Sequence, residues 1–334
     1  MSRLLAALDR HWFAPASLRD LALVRILAFG TQTFFFIFFP GGYLRSLEVH
    51  LSDPSLLAPP YRPIVVLKVL LLPWGGWGDV QPSVSFLAAT LGVAIVAGVL
   101  ATVGLYARVT MLLAAAANTL RVAHWNSYGD YHHSEGLMII ALIVLAVAPS
   151  AAVWSVDAAR RRRAEPGARA EPAGGRDDMS VFARWPLRLM QWLIALTYLS
   201  AAYSKLRFGG LEWMNGYTMA YHFLGAGMRE DREIAFFLAT LPPWVHILPS
   251  VATVLLELTF FVAVLVPRTA WLYVLAGVCM HLSIYASMGI AFFQTILLYS
   301  VFIESLRRYW PRVLPPPLPR LNRGRVVRQA VGRA

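Results

Sequence analysis

Lys205 is the residue in this sequence that is best suited to act as a base. The chain contains 30 lysines and arginines, and only two of them, Lys68 and Lys205, are lysines. Lys205 ends an apolar run that begins at Trp185, so its ammonium group is expected to lose part of its hydration. A dehydrated lysine can give up its proton, whereas an arginine effectively cannot. Two interpretations stay open: a proton acceptor, or a lysine that extends its charged end to the membrane surface.

Histidine, glutamine and glutamate side chains provide a second chemical feature. His132 and His133 lie in a polar loop. His281 and Gln294 lie in two apolar segments, in the halves that the charge distribution described below predicts to face away from the cytoplasm. Glu257 lies nearer the middle of a third apolar segment. Ionisable groups within a membrane are rare, so several of them near one surface predict a functional site. The alternatives are a solvated histidine pair in the loop and hydrogen-bonded core residues at the other positions.

The same histidines, together with His124 and Asp130, have side chains that could bind a metal ion. Membrane di-iron oxygenases repeat histidine boxes at helical spacing, whereas this chain has one adjacent pair and no second box. We therefore predict no metal site. The sequence contains no phosphate-binding glycine-rich loop and no nucleophile elbow, and its single cysteine, Cys279, excludes an internal disulfide.

The composition places these residues in a membrane protein. The chain is 58% hydrophobic and 14% charged, whereas soluble domains carry roughly 25% charge. Apolar stretches of about 20 residues recur along it, which predicts an all-α, polytopic bundle of about eight transmembrane helices without a large soluble domain. The net charge of +12 comes largely from arginines beside these stretches. Such arginines contact anionic membrane lipid, so we expect no nucleic-acid partner.

Three regions follow from the order of these stretches. Residues 1–19 form an amphipathic lead, residues 20–305 form the transmembrane domain, and residues 306–334 form a basic, proline-rich cytoplasmic tail. A polar linker at 158–180 is expected to be unstructured, and 206–244 is expected to be a long loop. The predicted spans are 20–39, 84–105, 109–125, 136–154, 186–205, 245–266, 270–288 and 290–304.

The distribution of positive charge predicts the orientation. Arg108, Arg160–Arg163, Arg268 and the C-terminal arginines all fall on one side if eight helices cross the membrane. Because positive charge concentrates in cytoplasmic loops, both termini are predicted to be cytoplasmic. Lys205 and the histidine loop then face outward, at the surface of a plasma membrane.

The segment from Tyr198 to Met219 contains the strongest family resemblance. Within it, Lys205-Leu206 followed by Trp213 and Gly216 resembles the HTTM (horizontally transferred transmembrane) domain family, which is related to the membrane domain of vitamin K-dependent gamma-carboxylases. His133-Ser134 resembles the His-Ser stretch of these carboxylases. Shorter matches at 24–26 and 154–157 extend the resemblance over most of residues 18–305.

The resemblance implies a chemistry and a set of site residues. In that family the lysine that matches Lys205 deprotonates reduced vitamin K, and the histidine that matches His133 stabilises the reacting quinol. The implied cofactor is reduced vitamin K or menaquinol, with O2 and CO2 as co-substrates of quinol epoxidation and carboxylation. The implied setting is a bacterial inner membrane. Candidate catalytic residues are Lys205, His133, His132 and His281, and candidate cofactor-binding residues are Trp213, Gly216, Tyr198 and Gln294.

Three departures from the family keep other functions open. The large lumenal domain of the carboxylases is not present after residue 305, His132 replaces an asparagine, and Ser204-Lys205 replaces a lysine pair. A non-enzymatic alternative is a membrane protein that aids maturation or export of a secreted peptide. A proton pathway or transporter is a third possibility, indicated by Arg25, Glu257 and His281 within the spans.

Overall fold

The computed structural model describes residues 2–38, 62–70, 83–127, 133–164 and 179–307. Within these ranges the fold is helical, apart from two antiparallel strands of two residues each, Ala16–Ser17 (β1) and Met179–Ser180 (β2). The prediction of an all-α chain is therefore confirmed for the described residues. The helices of the first half are Ser2–Phe13 (α1), Leu18–Phe38 (α2), Val65–Leu70 (α3), Val84–Val103 (α4), Ala107–Asn126 (α5), His133–Val147 (α6) and Val156–Ala164 (α7).

The second half begins with a helix of 26 residues and continues through shorter helices. Three short 3-10 helices, Val181–Ala183, Gly210–Met214 and Tyr299–Phe302, connect parts of it. The α-helices are Arg184–Gly209 (α8), Tyr217–Glu230 (α9), Glu233–Thr240 (α10), Pro243–Thr259 (α11), Val262–Leu265 (α12), Ala270–Met288 (α13), Phe293–Leu298 (α14) and Ile303–Leu306 (α15).

Some of these helices are long and apolar enough to cross a membrane. Three pass on length and hydropathy: Leu18–Phe38, Ser85–Val103 and Ala270–Met288. The pair α10 and α11, which bends by 108°, would be a fourth if it forms one broken span. The other predicted spans correspond to helices that are shorter or more polar, so the count of eight remains a prediction.

The surface of α4 has the character expected of a helix in contact with lipid. Four valines on this helix, Val93, Val96, Val99 and Val103, each expose 43% or more of their surface. Contiguous apolar exposure of this kind marks contact with a membrane or with another protein. Ser83 caps the start of the helix, because its side chain accepts a hydrogen bond from Phe86 N.

Arg25 is fully buried in α2 and binds carbonyl groups of the packed protein. Its Nη1 donates to Ser150 O at 3.1 Å, and its Nη2 donates to Trp154 O at 2.6 Å. Both carbonyls lie just beyond the C-terminal end of α6, where helical hydrogen bonding no longer satisfies carbonyl groups. Arg25 therefore serves packing, which weakens the transporter interpretation that it suggested.

Two predictions about the connecting segments are wrong in part. The linker predicted at 158–180 is helical up to Ala164 and forms β2 at its end, while residues 165–178 lie outside the described residues. The loop predicted at 206–244 consists mainly of helices, namely α9, α10 and the 3-10 helix Gly210–Met214. In 206–244, apolar residues at helical spacing such as Phe223 and Ala226 stabilise helices by packing against their neighbours, although the segment is partly polar.

Asp20 and Arg307 connect the first long helix to the end of the last one. Two guanidinium nitrogens of Arg307 donate to the two carboxylate oxygens of Asp20. The Asp20 side chain is 3% exposed and that of Arg307 is 13% exposed. This paired contact holds α2 against α15 across 287 positions of sequence.

Candidate proton-transfer site

Lys205 and Glu257 form a close ion pair between α8 and α11. The Lys205 Nζ atom lies 2.8 Å from both carboxylate oxygens of Glu257. Their side chains are 21% and 7% exposed, respectively. Removing two charges from water is costly, and in such a setting each charge depends on its partner. The lysine is therefore held by a carboxylate from a helix 52 positions further along the chain.

An aromatic ring and an imidazole lie beside the pair. Lys205 Nζ is 5.2 Å from the centroid of the Trp213 ring, which is a cation–π distance. His222 on α9 lies close enough for the Lys205 charge to act on it. Crowding by protein atoms, and then the Lys205 ammonium, lower the pKa of His222, so its imidazole is neutral at pH 7. The site thus combines an ammonium, a carboxylate, a flat ring and a neutral imidazole.

Gly216 fixes the segment that carries Trp213 and His222. Its φ of +89° is a conformation that favours glycine. A Cβ atom at this position would lie 1.9 Å from the carbonyl oxygen of Pro243. Because only glycine permits this approach, the start of α9 contacts the start of α11, the helix that supplies Glu257.

Tyr198, Tyr299 and His281 form a second buried polar cluster. Tyr198 Oη lies 2.9 Å from His281 Nε2 and is also hydrogen bonded to Tyr299 Oη. Gly277 provides space for both phenols, because a Cβ atom there would lie 2.4 Å from Tyr299 Oη and 3.2 Å from Tyr198 Oη. The Phe260 ring stacks on Tyr198 at a centroid distance of 4.4 Å, which fixes the plane of the phenol.

The two clusters share one face of α8. Tyr198 and Lys205 are separated by two helical turns, or roughly 10 Å along the axis. Phe260, the residue after the end of α11, follows Glu257 by three positions and stacks on Tyr198. The charge of Glu257 is close enough to act on the Tyr198 phenol. The ion pair and the tyrosine–histidine cluster are therefore neighbours between the packed helices.

An apolar groove of about 670 Å³ runs along another face of α8 and is separate from this region. Leu199, Tyr203 and Leu206 line it. At 3.6 residues per turn, these positions lie away from the face that carries Tyr198 and Lys205. The groove therefore does not open onto the ion pair.

The remaining candidates are distributed as follows. His132 lies outside the described residues, and His133 is the first residue of α6. Gln294 is the second residue of α14, a helix that packs on both α2 and α6. The structure thus brings Lys205 to Trp213 and Tyr198 to His281, while Gly216 lies against Pro243. Gln294 makes no described hydrogen bond to any of these groups, and the His133 side chain lies outside the described part of the structure. Among the described residues, no three histidine, cysteine, aspartate or glutamate side chains are grouped as metal ligands.

Two residues of the site were not named by the sequence prediction. Tyr299 lies within an apolar segment, where a single tyrosine resembles an ordinary core residue. His222 lies in the segment that was predicted to be a loop. An amphipathic pattern over Tyr217–Glu230, with Phe223 and Ala226 on its buried side, is the signal that would have placed His222 on a helix.

Comparison with known proteins adds no family assignment. No protein-family model, no curated protein and no solved structure matches this chain. The chemistry of the site therefore has to be argued from its own residues.

Proposed function

We propose that this protein is a membrane enzyme that binds a lipid quinol and removes a proton from its hydroxyl group with the Lys205–Glu257 pair. The observation that carries the proposal is the contact of Lys205 Nζ with both Glu257 oxygens at 2.8 Å, in a largely buried position. A proton acceptor and a positive charge are thereby held side by side. Such paired groups in a water-poor site are typical of proton transfer.

The two residues of the pair have separate tasks: one accepts a proton, and the other stabilises negative charge. A protonated lysine alone cannot do both. A lysine that already carries its proton cannot accept another, whereas the Glu257 carboxylate can. When a substrate hydroxyl group gives its proton to Glu257, the negative charge moves to the substrate oxygen. The Lys205 ammonium is then adjacent to that oxygen and stabilises the new charge. The base is accordingly the pair, with Glu257 added to the predicted Lys205.

The surroundings fit a flat aromatic diol. The Trp213 ring, 5.2 Å from Lys205 Nζ, offers a face on which an aromatic ring can stack. A bound quinol would supply an acidic hydroxyl group and, once deprotonated, an electron-rich ring that reacts with oxygen. The family resemblance extends the proposal to reduced vitamin K or menaquinol, to O2 and CO2 as co-substrates, and to a bacterial inner membrane with the site facing outward.

The proposal is tested by oxygen consumption of the purified protein in nanodiscs supplied with reduced menaquinone. We expect Glu257→Gln to lower turnover at least about tenfold, because an amide cannot accept the proton that the quinol gives up. Lys205→Ala should abolish turnover. Lys68→Arg, at the other lysine of the chain, is the matched control and should leave the rate unchanged.

Equal oxygen consumption by the wild-type and Lys205→Ala proteins would remove the catalytic assignment. Loss of activity in Lys68→Arg as well would show that the variants act through a general effect. Thermal stability of each variant in the same nanodiscs separates loss of chemistry from loss of fold.

A second candidate function is assistance in the maturation or export of a secreted peptide. It is favoured by an apolar stripe along α9, where Tyr217, Tyr221, Leu224 and Met228 are 40% or more exposed. These positions are spaced by three or four residues and form one face of a helix outside the candidate spans. A peptide partner could bind along this stripe.

The two functions predict opposite results for the same pair of variants. If the stripe binds a peptide, Tyr221→Ser combined with Met228→Ser should prevent co-purification of a small secreted peptide, and Lys205→Ala should not. If the protein is the proposed enzyme, Lys205→Ala removes oxygen consumption and the serine variants retain it.

A further inference from the structure

His281 has a buried nitrogen without a protein partner among the residues that the structure describes. Its residue surface is 6% exposed, and its Nδ1 atom makes no hydrogen bond within that part of the chain. An unpaired polar atom in such a position is unfavourable and calls for an explanation. The other ring nitrogen, Nε2, faces Tyr198 Oη at 2.9 Å.

Counting the hydrogens of the cluster assigns the tautomer of His281. If Tyr198 donates to Nε2, then Tyr299 can donate to Tyr198, and the only unpaired donor is the proton on Nδ1. If Nε2 instead carries the proton and donates to Tyr198, then Tyr198 donates to Tyr299. The Tyr299 hydroxyl then has no acceptor, and the unprotonated Nδ1 has no donor. The first arrangement leaves fewer buried polar groups unsatisfied, so His281 carries its proton on Nδ1.

We infer that the Nδ1–H group of His281 donates a hydrogen bond to an oxygen of a flat aromatic ligand, such as the carbonyl oxygen of a lipid quinone. A buried donor requires an acceptor, and a carbonyl oxygen is an acceptor that has no hydrogen of its own. The inference rests on the proposed function for the identity of the ligand. It adds a binding residue, His281, and a direction to the hydrogen bond.

An aromatic ring packs beside the His281 imidazole. The Phe292 ring lies 4.8 Å from the His281 ring at an interplanar angle of 33°. Phe292 belongs to the non-helical link 289–292 between α13 and α14, so its ring is not fixed by a helix. Movement of this ring would leave, beside the imidazole, a site for the flat face of a quinone.

The tautomer is measured directly by nitrogen-15 NMR of histidine-labelled protein in nanodiscs, with His281→Asn used to assign the signal. We expect a protonated Nδ1 and an unprotonated Nε2. Adding 2-methyl-1,4-naphthoquinone should shift the Nδ1 signal, and adding 2-methylnaphthalene, which has the same rings without oxygen, should not. A proton on Nε2 in the ligand-free protein, or an equal shift with the hydrocarbon, would overturn the inference.

Affinity of the quinone for three variants provides the second test. Asparagine places a side-chain N–H group near the position of Nδ1, so His281→Asn should bind within about threefold of the wild type. His281→Leu should lose about tenfold in affinity, the usual effect of one hydrogen bond. Tyr299→Phe should mix the two tautomers, because Tyr198 loses the donor that directs its hydrogen to His281. Equal affinity of the leucine and wild-type proteins would contradict the inference.

Failure of this inference is distinguishable from failure of the proposed function. If the quinone leaves the Nδ1 signal unchanged while Lys205→Ala still abolishes oxygen consumption, only the role of His281 is refuted. If the quinone shifts Nδ1 but Lys205→Ala consumes oxygen normally, the binding site stands and the catalytic pair is refuted.

Discussion

Lys205 and Glu257 show how a buried charge depends on its partner. The Glu257 side chain is 7% exposed, so removing the Lys205 charge would leave its carboxylate without compensation in a position with little water. The same reasoning applies to Lys205, although its larger exposure of 21% allows some hydration. The stability that each charge contributes therefore depends on the other.

This dependence predicts a non-additive effect on stability. Glu257→Gln alone should lower the free energy of unfolding by about 2–4 kcal/mol, because it strands the lysine. Glu257→Leu combined with Lys205→Met should be close to the wild type, because both charges are removed together. Thermal denaturation of the single and double variants in one detergent measures the coupling. A double variant that is less stable than either single variant would contradict a simple ion pair.

At the scale of elements, the N-terminal helix α1 is attached to α8 by a hydrogen bond that depends on pH. Trp192 Nε1 donates to His11 Nε2 at 3.0 Å, which requires an unprotonated Nε2. Partial burial, and then the charges of Arg188 and Arg184, lower the pKa of His11. Both arginines lie on α8, and their charges oppose protonation of this imidazole.

Acidification should therefore release α1 from α8. A histidine whose pKa is lowered in the folded state contributes stability above its ordinary value of about 6.5, and that contribution is lost as the pH falls through the lowered pKa. Hydrogen exchange of residues 2–13 should be slow at pH 8 and faster at pH 5 after correction for the intrinsic rates. His11→Gln, whose amide oxygen accepts the same bond without titrating, should show no such dependence. The same dependence in this variant would exclude His11 as the cause.

At the scale of the whole molecule, the bundle is closed by contacts between its two ends. Asp20 near the start of α2 and Arg307 after α15 form a paired contact with little exposure to solvent. Arg25 performs a related task by joining α2 to the carbonyls that follow α6. These contacts fix the arrangement of helices against which the Lys205 region is formed.

Loss of the terminal contact should loosen the bundle and leave each helix formed. Arg307→Gln should lower the unfolding midpoint by several degrees, since a buried carboxylate loses its partner. Arg307→Lys should have a smaller effect, because it retains the charge but only one of the two hydrogen bonds. The combined variant Asp20→Asn, Arg307→Gln should recover part of the loss. Equal midpoints for the glutamine variant and the wild type would show that the ends are held by other contacts.

The sequence by itself predicted most of the long apolar helices and singled out Lys205 as a rare charge at the end of one, because apolar length and rare charge are local properties. The run before Lys205 predicted α8, and the run near His281 predicted α13 with its bounds at Ala270–Met288. The segment 206–244 was predicted poorly, because its helices are stabilised by packing and not by composition.

Only the tertiary structure decided which side chains meet. Lys205 contacts Glu257, 52 positions away, and Tyr198 contacts Tyr299, 101 positions away. Which face of one helix meets which face of another depends on how ridges of side chains fit together across the bundle, and on glycines such as Gly216 and Gly277 that permit close approach. A linear sequence lists the groups that can transfer a proton, and the packing of helices selects the ones that lie within reach.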